Sequence, residues 1–335
     1  MTLLLTGALG FVGSTLVRLL LAERPGWRIV NLDVVTYAGN PENLAEVEGD
    51  PRYRHVRGDV CDGALVERLL GEERVEAIVH LAAESHVDRS IAEPAPFVRT
   101  NVLGTQVILE AARRRGIRVV HVSTDEVYGP LGPSGRFTEA SPLLPSSPYS
   151  ASKAAGDLLA LAYARTYGLP VSIVRACNTY GPRQFPEKLL PLAIANALRD
   201  LPVPVYGDGT QVRDWIHVED HARGILAALE RGAPGRVYNL GADCEKRNVD
   251  LLREVLALLG KPASLLVHVA DRPGHDARYA LDASRARAEL GWSPRRALPE
   301  GLAETVRWYV EHRAWWERIV SGEYREWYAR QYGGR

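Results

Sequence analysis

Three observations predict an α/β fold, a doubly wound parallel sheet joined to a smaller, discontinuous α+β lobe. Short apolar runs alternate with helical stretches through the first half of the 335 residues. These runs are continuously apolar, which is the pattern of strands buried on both faces. Past residue 178 the rhythm gives way to proline-bearing segments.

The elements follow in order. LLLTG (3–7) and RIVNLD (28–33) read as strands, with FVGSTLVRLLLAER between them as a helix. YRHVRGD (53–59), AIVHLAA (77–83) and RVVHVST (118–124) continue the strand series, and VSIVRACN (171–178) extends it. ALVERLL (64–70) and NVLGTQVILEAARRRG (101–116) read as intervening helices. Such alternation predicts helices on both faces of a parallel sheet. YGPRQFPEKLLP and LPVPVYGDG read as loops and short strands, and WIHVEDHARGILAALERG (215–232) reads as a return to the core. The expected division is therefore 1–178, with about 211–239, as one domain, and about 179–210 with 240–335 as the other. The aromatics of VRWYVEHRAWWERIVSGEYREWYARQY recur at helical spacing and predict packing of a final helix pair; charges interrupt them too often for a membrane anchor.

Composition excludes several classes. Basic and acidic residues both total 41, so general attraction to nucleic acid or an anionic membrane is not expected. Cys61, Cys177 and Cys244 are too scattered for a metal-spaced set or a disulfide framework. The apolar start is short, lacks a basic leader and runs into a glycine motif, so it reads as a strand and the protein as cytoplasmic. Only four lysines occur, at 153, 188, 246 and 261, so a lysine inside a motif gains interest. His80, His121, His217 and His221 have apolar neighbours and no shared ligand spacing; they read as core histidines, and no metal is expected.

Gly7, Gly10 and Gly13 form G-x-x-G-x-x-G between the first strand and the first helix. Glycines there let backbone approach a pyrophosphate lying on the helix amino terminus. Asp33 ends the second strand 20 residues after the last glycine, where a carboxylate can accept ribose hydroxyls and repel a 2′-phosphate. A Rossmann-type fold binding NAD in preference to NADP is expected, with Asp59 a plausible adenine contact.

Tyr149 and Lys153 form Y-x-x-x-K and share one helix face. A neighbouring ammonium favours phenolate in a group whose free pKa is about 10. Upstream, a strand ends in Ser123-Thr124-Asp125-Glu126. Carboxyl ends of parallel strands face the ligand crevice, where two carboxyls can acquire separated pKa values and serve as acid and base.

With those residues in hand, the sequence resembles the extended branch of the short-chain dehydrogenase/reductase superfamily and, within its nucleotide-sugar dehydratase branch, the dTDP-glucose 4,6-dehydratases. The likeness spans essentially the whole chain through TGALGFVG, LDVVTYAGN, HLAAESHVDRSI, STDEVYG, SPYSASKAAGD, NTYGPRQFPEKLLP, GDGTQVRDWIHVEDHA and DRPGHDARYALD. The Thr-Asp-Glu triplet discriminates, since related sugar epimerases generally lack that acid pair.

The resemblance implies oxidation at C4 of a dTDP-hexose by NAD, elimination of water across C5 and C6, and return of the hydride to C6. It implies Tyr149 as base at the C4 hydroxyl, Thr124 as a hydrogen bond to the C4 oxygen, Glu126 as base at C5 and Asp125 as acid at C6. Beyond the glycines, Asp33, Asp59, Tyr149 and Lys153, it implies NAD contacts at Phe11, Val12, Val34, Val35, Thr36, Val60, Leu81, Ala82, Ala83, Ser85, Thr100 and Thr179. Substrate contacts are implied at Ser85, Asn178, Glu187, Lys188 and Leu189 for the sugar and phosphate. For the nucleobase it implies Pro204, Val205 and Tyr206, and for the diphosphate and ribose Arg213, Asn248, Arg272 and His275, with Tyr332 near the end. Arginine forks suit phosphate oxygens. A homodimer built on helices 101–115 and 150–167 is also implied.

Three other readings remain open on sequence. A nucleotide-sugar 4-epimerase shares the scaffold but needs no C5 base. A nucleotide-glucuronate decarboxylase would release carbon dioxide. A non-catalytic dinucleotide sensor or scaffold would have lost part of a catalytic set that is complete here.

Overall fold

The computed structural model describes residues 1–321; Tyr332 lies outside the described residues. Twelve strands occur among them: β1 (Thr2–Thr6), β2 (Arg28–Asp33), β3 (Tyr53–Arg57), β4 (Ala77–His80), β5 (Arg118–Thr124), β6 (Val171–Ala176), β7 (Asn178–Tyr180), β8 (Val203–Tyr206), β9 (Val212–His217), β10 (Val237–Leu240), β11 (Glu245–Arg247) and β12 (Leu266–Val269). Seven form one sheet in the order β10-β6-β5-β4-β1-β2-β3, every pair parallel.

Alternation along these strands divides the core into two layers. Leu3 and Leu5 join Val79, Val120 and Val174 on one face, under helices Phe11–Glu23 and Val218–Arg231. Leu4 joins Val30, Ile78, Val119 and Ile173 on the other, under helices Gly63–Glu72, Thr105–Arg115 and Pro148–Tyr167. A sheet covered on both faces needs apolar residues at every position of its central strands, which is why those runs lack a polar alternation. Strand order reverses at β1, with β2 on one side and β4 on the other. The crevice beyond the carboxyl ends of β1 and β4 is where such a sheet binds ligand.

Beyond β6 a second apolar cluster gathers Tyr180, Leu190, Trp215, Leu251, Leu302, Tyr309, Trp315 and Trp316. Helices Leu298–Glu311 and Arg313–Ile319 supply Tyr309, Trp315 and Trp316, so the described part of the aromatic stretch does pack as a helix pair. Strands β11-β9-β7 form a small sheet here, and β12 pairs with β8. The segment 215–232 is thus split: β9 belongs to this small sheet, while the helix that follows packs on the large one.

Two expectations change. The LLP that ends YGPRQFPEKLLP, expected as loop or short strand, instead opens helix Leu189–Ala197. Its Pro191 falls in the first turn, where the missing N–H would have had no intrahelical partner anyway. Residues 279–292, given above to the second lobe, contribute Tyr279, Leu281, Leu290 and Trp292 to the core of the large sheet. No helix among the described residues is long and apolar enough to cross a membrane.

Candidate active site

The glycine turn between β1 and helix Phe11–Glu23 is shaped by contacts that forbid a side chain. Gly7 has φ +72°, and a Cβ there would stand 2.7 Å from Ala82 Cα; a Cβ on Gly13 would stand 2.6 Å from Ala8 Cα. The turn, β2 and β4 are therefore in backbone contact, leaving the helix amino terminus open to an anion. Asp33 closes the turn, its carboxylate accepting the N–H of Leu9 at 3.0 Å and of Val35 at 2.9 Å. Burial pushes the Asp33 carboxyl upward while the Val35 and Leu9 amides oppose it.

A cavity of about 730 Å³ opens from this turn. Its wall includes Gly7, Gly10, Phe11, Val12, Gly13, Asp33, Val34, Thr36, Asp59, Val60, Leu81, Ala82, Ala83, Ser85, Thr100, Tyr149 and Lys153, and also Glu187 and Lys188 from the second lobe. A dinucleotide fits this wall by its close backbone turn at one end, a carboxylate at β2 and a phenol with an ammonium at the other end. Val35 and Thr179 stand one layer behind, Val35 on Asp33 and Thr179 on His221 (Oγ1 to Nδ1, 2.9 Å).

The reactive groups meet at the carboxyl end of β5. Ser147 caps helix Pro148–Tyr167 with a hydrogen-bonded box to Ser150, and Pro148 opens it, which fixes Tyr149 in the first turn. Tyr149 is buried; burial and then Glu126 push its phenol upward, and a hydrogen bond from Thr124 opposes them. Lys153 donates to the Val122 carbonyl at 2.7 Å. Burial lowers its ammonium to about 8, with Asp157 opposing. Thr124 Oγ1 lies 3.3 Å from Asp125 Oδ1 and accepts the Glu126 N–H at 3.3 Å. Asp125 is 1% exposed. Burial and then Glu126 raise its carboxyl well above the ordinary range, against the pull of Arg213. Glu126 is half-buried. Asp125 is thus sealed from solvent and Glu126 partly so, and neither lines the cavity that Tyr149 and Lys153 border.

The second-lobe positions fall into two groups. Glu187 is buried and accepts Tyr37 OH at 3.1 Å, while Lys188 Nζ donates to the Ser85 carbonyl at 2.5 Å; both line the cavity. The other group lies outside that wall. Arg213 lies 4.4 Å over the Tyr279 ring and feels the charges of Glu126, Arg272 and Asp125. Arg272 is 3.6 Å from Asp88, which also accepts Tyr206 OH at 2.8 Å, and the Tyr206 ring stands 6.1 Å from that of His275. Asn248 opens helix Asn248–Leu258. Asn178 lies in β7 opposite Trp215. Pro204 and Tyr206 alternate with Val205, which packs into the lobe's apolar core beside partly buried Leu189.

Sequence reasoning missed several wall residues, including Gly39, Gly58, Glu84, Arg99 and Phe185. Gly58 had a readable signal, since it follows β3 as Gly7 follows β1. Asp88 had none: its partners Tyr206 and Arg272 are more than a hundred residues away in sequence. The four histidines singled out are all buried.

Together the glycine turn, the β2 carboxylate and the Thr-Asp-Glu and Tyr-x-x-x-Lys groups define a dinucleotide-dependent site of the short-chain dehydrogenase/reductase class. The GDP-mannose 4,6 dehydratase family matches residues 4–305. A dTDP-glucose 4,6-dehydratase of Streptomyces griseus is 53% identical, over 95% of this chain and 97% of its own. One from Streptomyces venezuelae, solved with NAD bound, is 53% identical with a TM-score of 0.93, covering 95% of this chain and 100% of its own. The UDP-glucose 4-epimerase of Thermus thermophilus, in complex with NAD, shares the fold at 32% identity and TM-score 0.86, covering 93% and 100%. The chain belongs to the nucleotide-sugar 4,6-dehydratase family, on the dTDP-glucose 4,6-dehydratase side.

Proposed function

We propose that this protein is a hydro-lyase that converts dTDP-glucose to dTDP-4-keto-6-deoxyglucose with NAD as a recycled prosthetic group. NAD, when bound, accepts a hydride from C4 of the sugar and returns it at C6. Tyr149 takes the proton of the C4 hydroxyl, guided by Thr124, and Lys153 stabilises the phenolate. The 4-keto group acidifies the C5 proton, which Glu126 removes, and C5 is reprotonated once the hydride has reached C6. Asp125, whose carboxyl burial pushes upward, gives a proton to the departing C6 hydroxyl. Each positioned proton transfer contributes about 10²–10⁴-fold in rate.

One observation carries this reading over C4 epimerisation: a buried Asp125, its carboxyl pushed upward by burial and by Glu126, beside half-buried Glu126 and next to Tyr149. Epimerisation has no use for either carboxyl. Incubation with dTDP-glucose in deuterated water should yield the 4-keto-6-deoxy product labelled at C5. Tyr149→Phe should suppress oxidation, Glu126→Gln should permit oxidation without C5 exchange, and Asp125→Asn should permit both while slowing water loss. Near-normal turnover in all three variants would refute the assignments.

The lobes divide the work. Residues 1–178 with about 211–239 hold NAD, and about 179–210 with 240–335 hold the nucleotide sugar, less the stretch 279–292 that packs on the large sheet. Arg213, Arg272 and His275 suit the diphosphate; Pro204 and Tyr206 meet the base, Val205 between them being turned into the core, and Asn248 meets the ribose. The working form is a cytoplasmic homodimer on helices 101–115 and 150–167, which leave Leu103 and Leu158 exposed. Light scattering at the mass of one chain would exclude the dimer.

A further inference from the structure

We infer that Asp157 is a positioning residue for the Tyr149–Lys153 pair, its buried carboxylate supplying the counter-charge that keeps Lys153 an ammonium beneath the phenol. The inference rests on the proposed role of Tyr149 as base, but its first test does not.

Tyr149, Lys153 and Asp157 recur every four residues along helix Pro148–Tyr167 and so share one face. Lys153 is 4% exposed and Asp157 0%. A buried ammonium without an opposite charge tends to release its proton. The Val122 carbonyl that Lys153 meets is a neutral acceptor. His80 on β4 and His121 on β5 also face the ammonium, and burial holds both imidazoles towards neutrality. Arg175 on β6 is a cation, and Asp125 with Glu126 lie at the other end of the helix, by Tyr149. That leaves Asp157, buried one turn along the same helix face, as the anion placed to keep Lys153 charged.

The carboxylate is itself built to stay ionised. Burial raises it, but His121 and Arg175 outweigh that and hold it below its ordinary range. Arg175 Nε donates to Asp157 Oδ2 at 2.7 Å, and its Nη1 donates to Tyr128 OH at 2.9 Å, which in turn donates to Asn239 at 2.7 Å. His121 Nε2 lies 3.3 Å from Asp157 Oδ1. Gly156 brings the helix down onto this network: a Cβ there would stand 3.1 Å from the Asn101 carbonyl and 3.2 Å from His121 Nε2. An ion pair sealed this deeply, one helical turn from Lys153, exceeds what fastening one helix to a sheet requires, since a packed apolar pair fastens as well.

Four lysines make the test direct. In purified protein labelled at lysine Cε, the Lys153 resonance is assigned by its loss in Lys153→Arg and followed through pH. Asp157→Asn is expected to titrate at least about one unit below the unsubstituted protein, and Asp157→Glu to return within about half a unit. One unit takes the ammonium fraction at pH 7.5 from about three quarters to about one quarter. The alkaline limb of turnover should move with it. If Asp157→Asn fails to fold, Asp157→Asn with Arg175→Met removes both charges of the pair and should show a smaller lowering, since loss of the cation offsets part of it. An unchanged Lys153 midpoint in a folded variant overturns the inference. So does a lowered midpoint with an unmoved alkaline limb. A protein that turns over no dTDP-glucose, yet shows the Lys153 shift, would refute the proposed function and leave the counter-charge standing.

Discussion

The two halves of the crevice are made differently. At the cofactor end, specificity of shape comes from backbone: Gly7 and Gly13 let three segments touch where no Cβ would fit, and Asp33 is held by two amides. At the proposed nucleotide-sugar end it would come from long side chains on separate elements: Arg213 on β9, Tyr206 on β8, and Arg272 and His275 in the loop after β12. Backbone contact is unforgiving, whereas a set of charged arms can lose one member and weaken by degrees. Substitution should therefore act as a switch at one end and as a dial at the other.

The largest effect is expected at Gly7→Ala, which forces positive φ on alanine and drives its Cβ into Ala82. Loss of bound dinucleotide and at least about 3 kcal/mol of stability should result, read by cofactor released on denaturation and by chemical unfolding. Full cofactor content in that variant would break the comparison. Arg272→Ala should come next, raising KM for the nucleotide sugar about 10–100-fold while kcat changes little; a fall in kcat alone would place Arg272 with the reacting atoms. The smallest effect sits where the halves meet. Burial pushes Glu187 up to about 7, with Lys188 and Arg89 opposing. A carboxyl raised in the folded state contributes stability that is present below its ordinary 4.5 and lost as pH climbs through 7. Between those values the unsubstituted protein should lose about 2–4 °C of Tm relative to Glu187→Gln. Parallel curves would mean that Glu187 is ionised throughout.

This difference also explains what could be read from sequence. The glycine turn, Asp33 and the Tyr149–Lys153 pair are local patterns whose geometry follows from a strand, a turn or a helix period. The parallel sheet was legible for the same reason, because burial on both faces leaves an unbroken apolar run. Asp88 and Asp157 were not legible as parts of a network, because their partners arrive from β8, β6 and distant loops and nothing local marks the meeting. Helix Leu189–Ala197 was hidden by Pro191, a residue that breaks a helix everywhere except the turn it occupies.

Strand β10 carries a cost that arises before the protein is finished. It is the outer neighbour of β6, yet it is encoded at 237–240, after the small sheet has been started by β7 and β9. During translation β6 emerges and then waits several seconds while the ribosome works through 177–236. For that interval its outer row of amides and carbonyls is bare, open to annealing with another nascent copy. Any stall or truncation before Val237 makes the exposure permanent, so yield should depend on elongation speed across this one stretch of message.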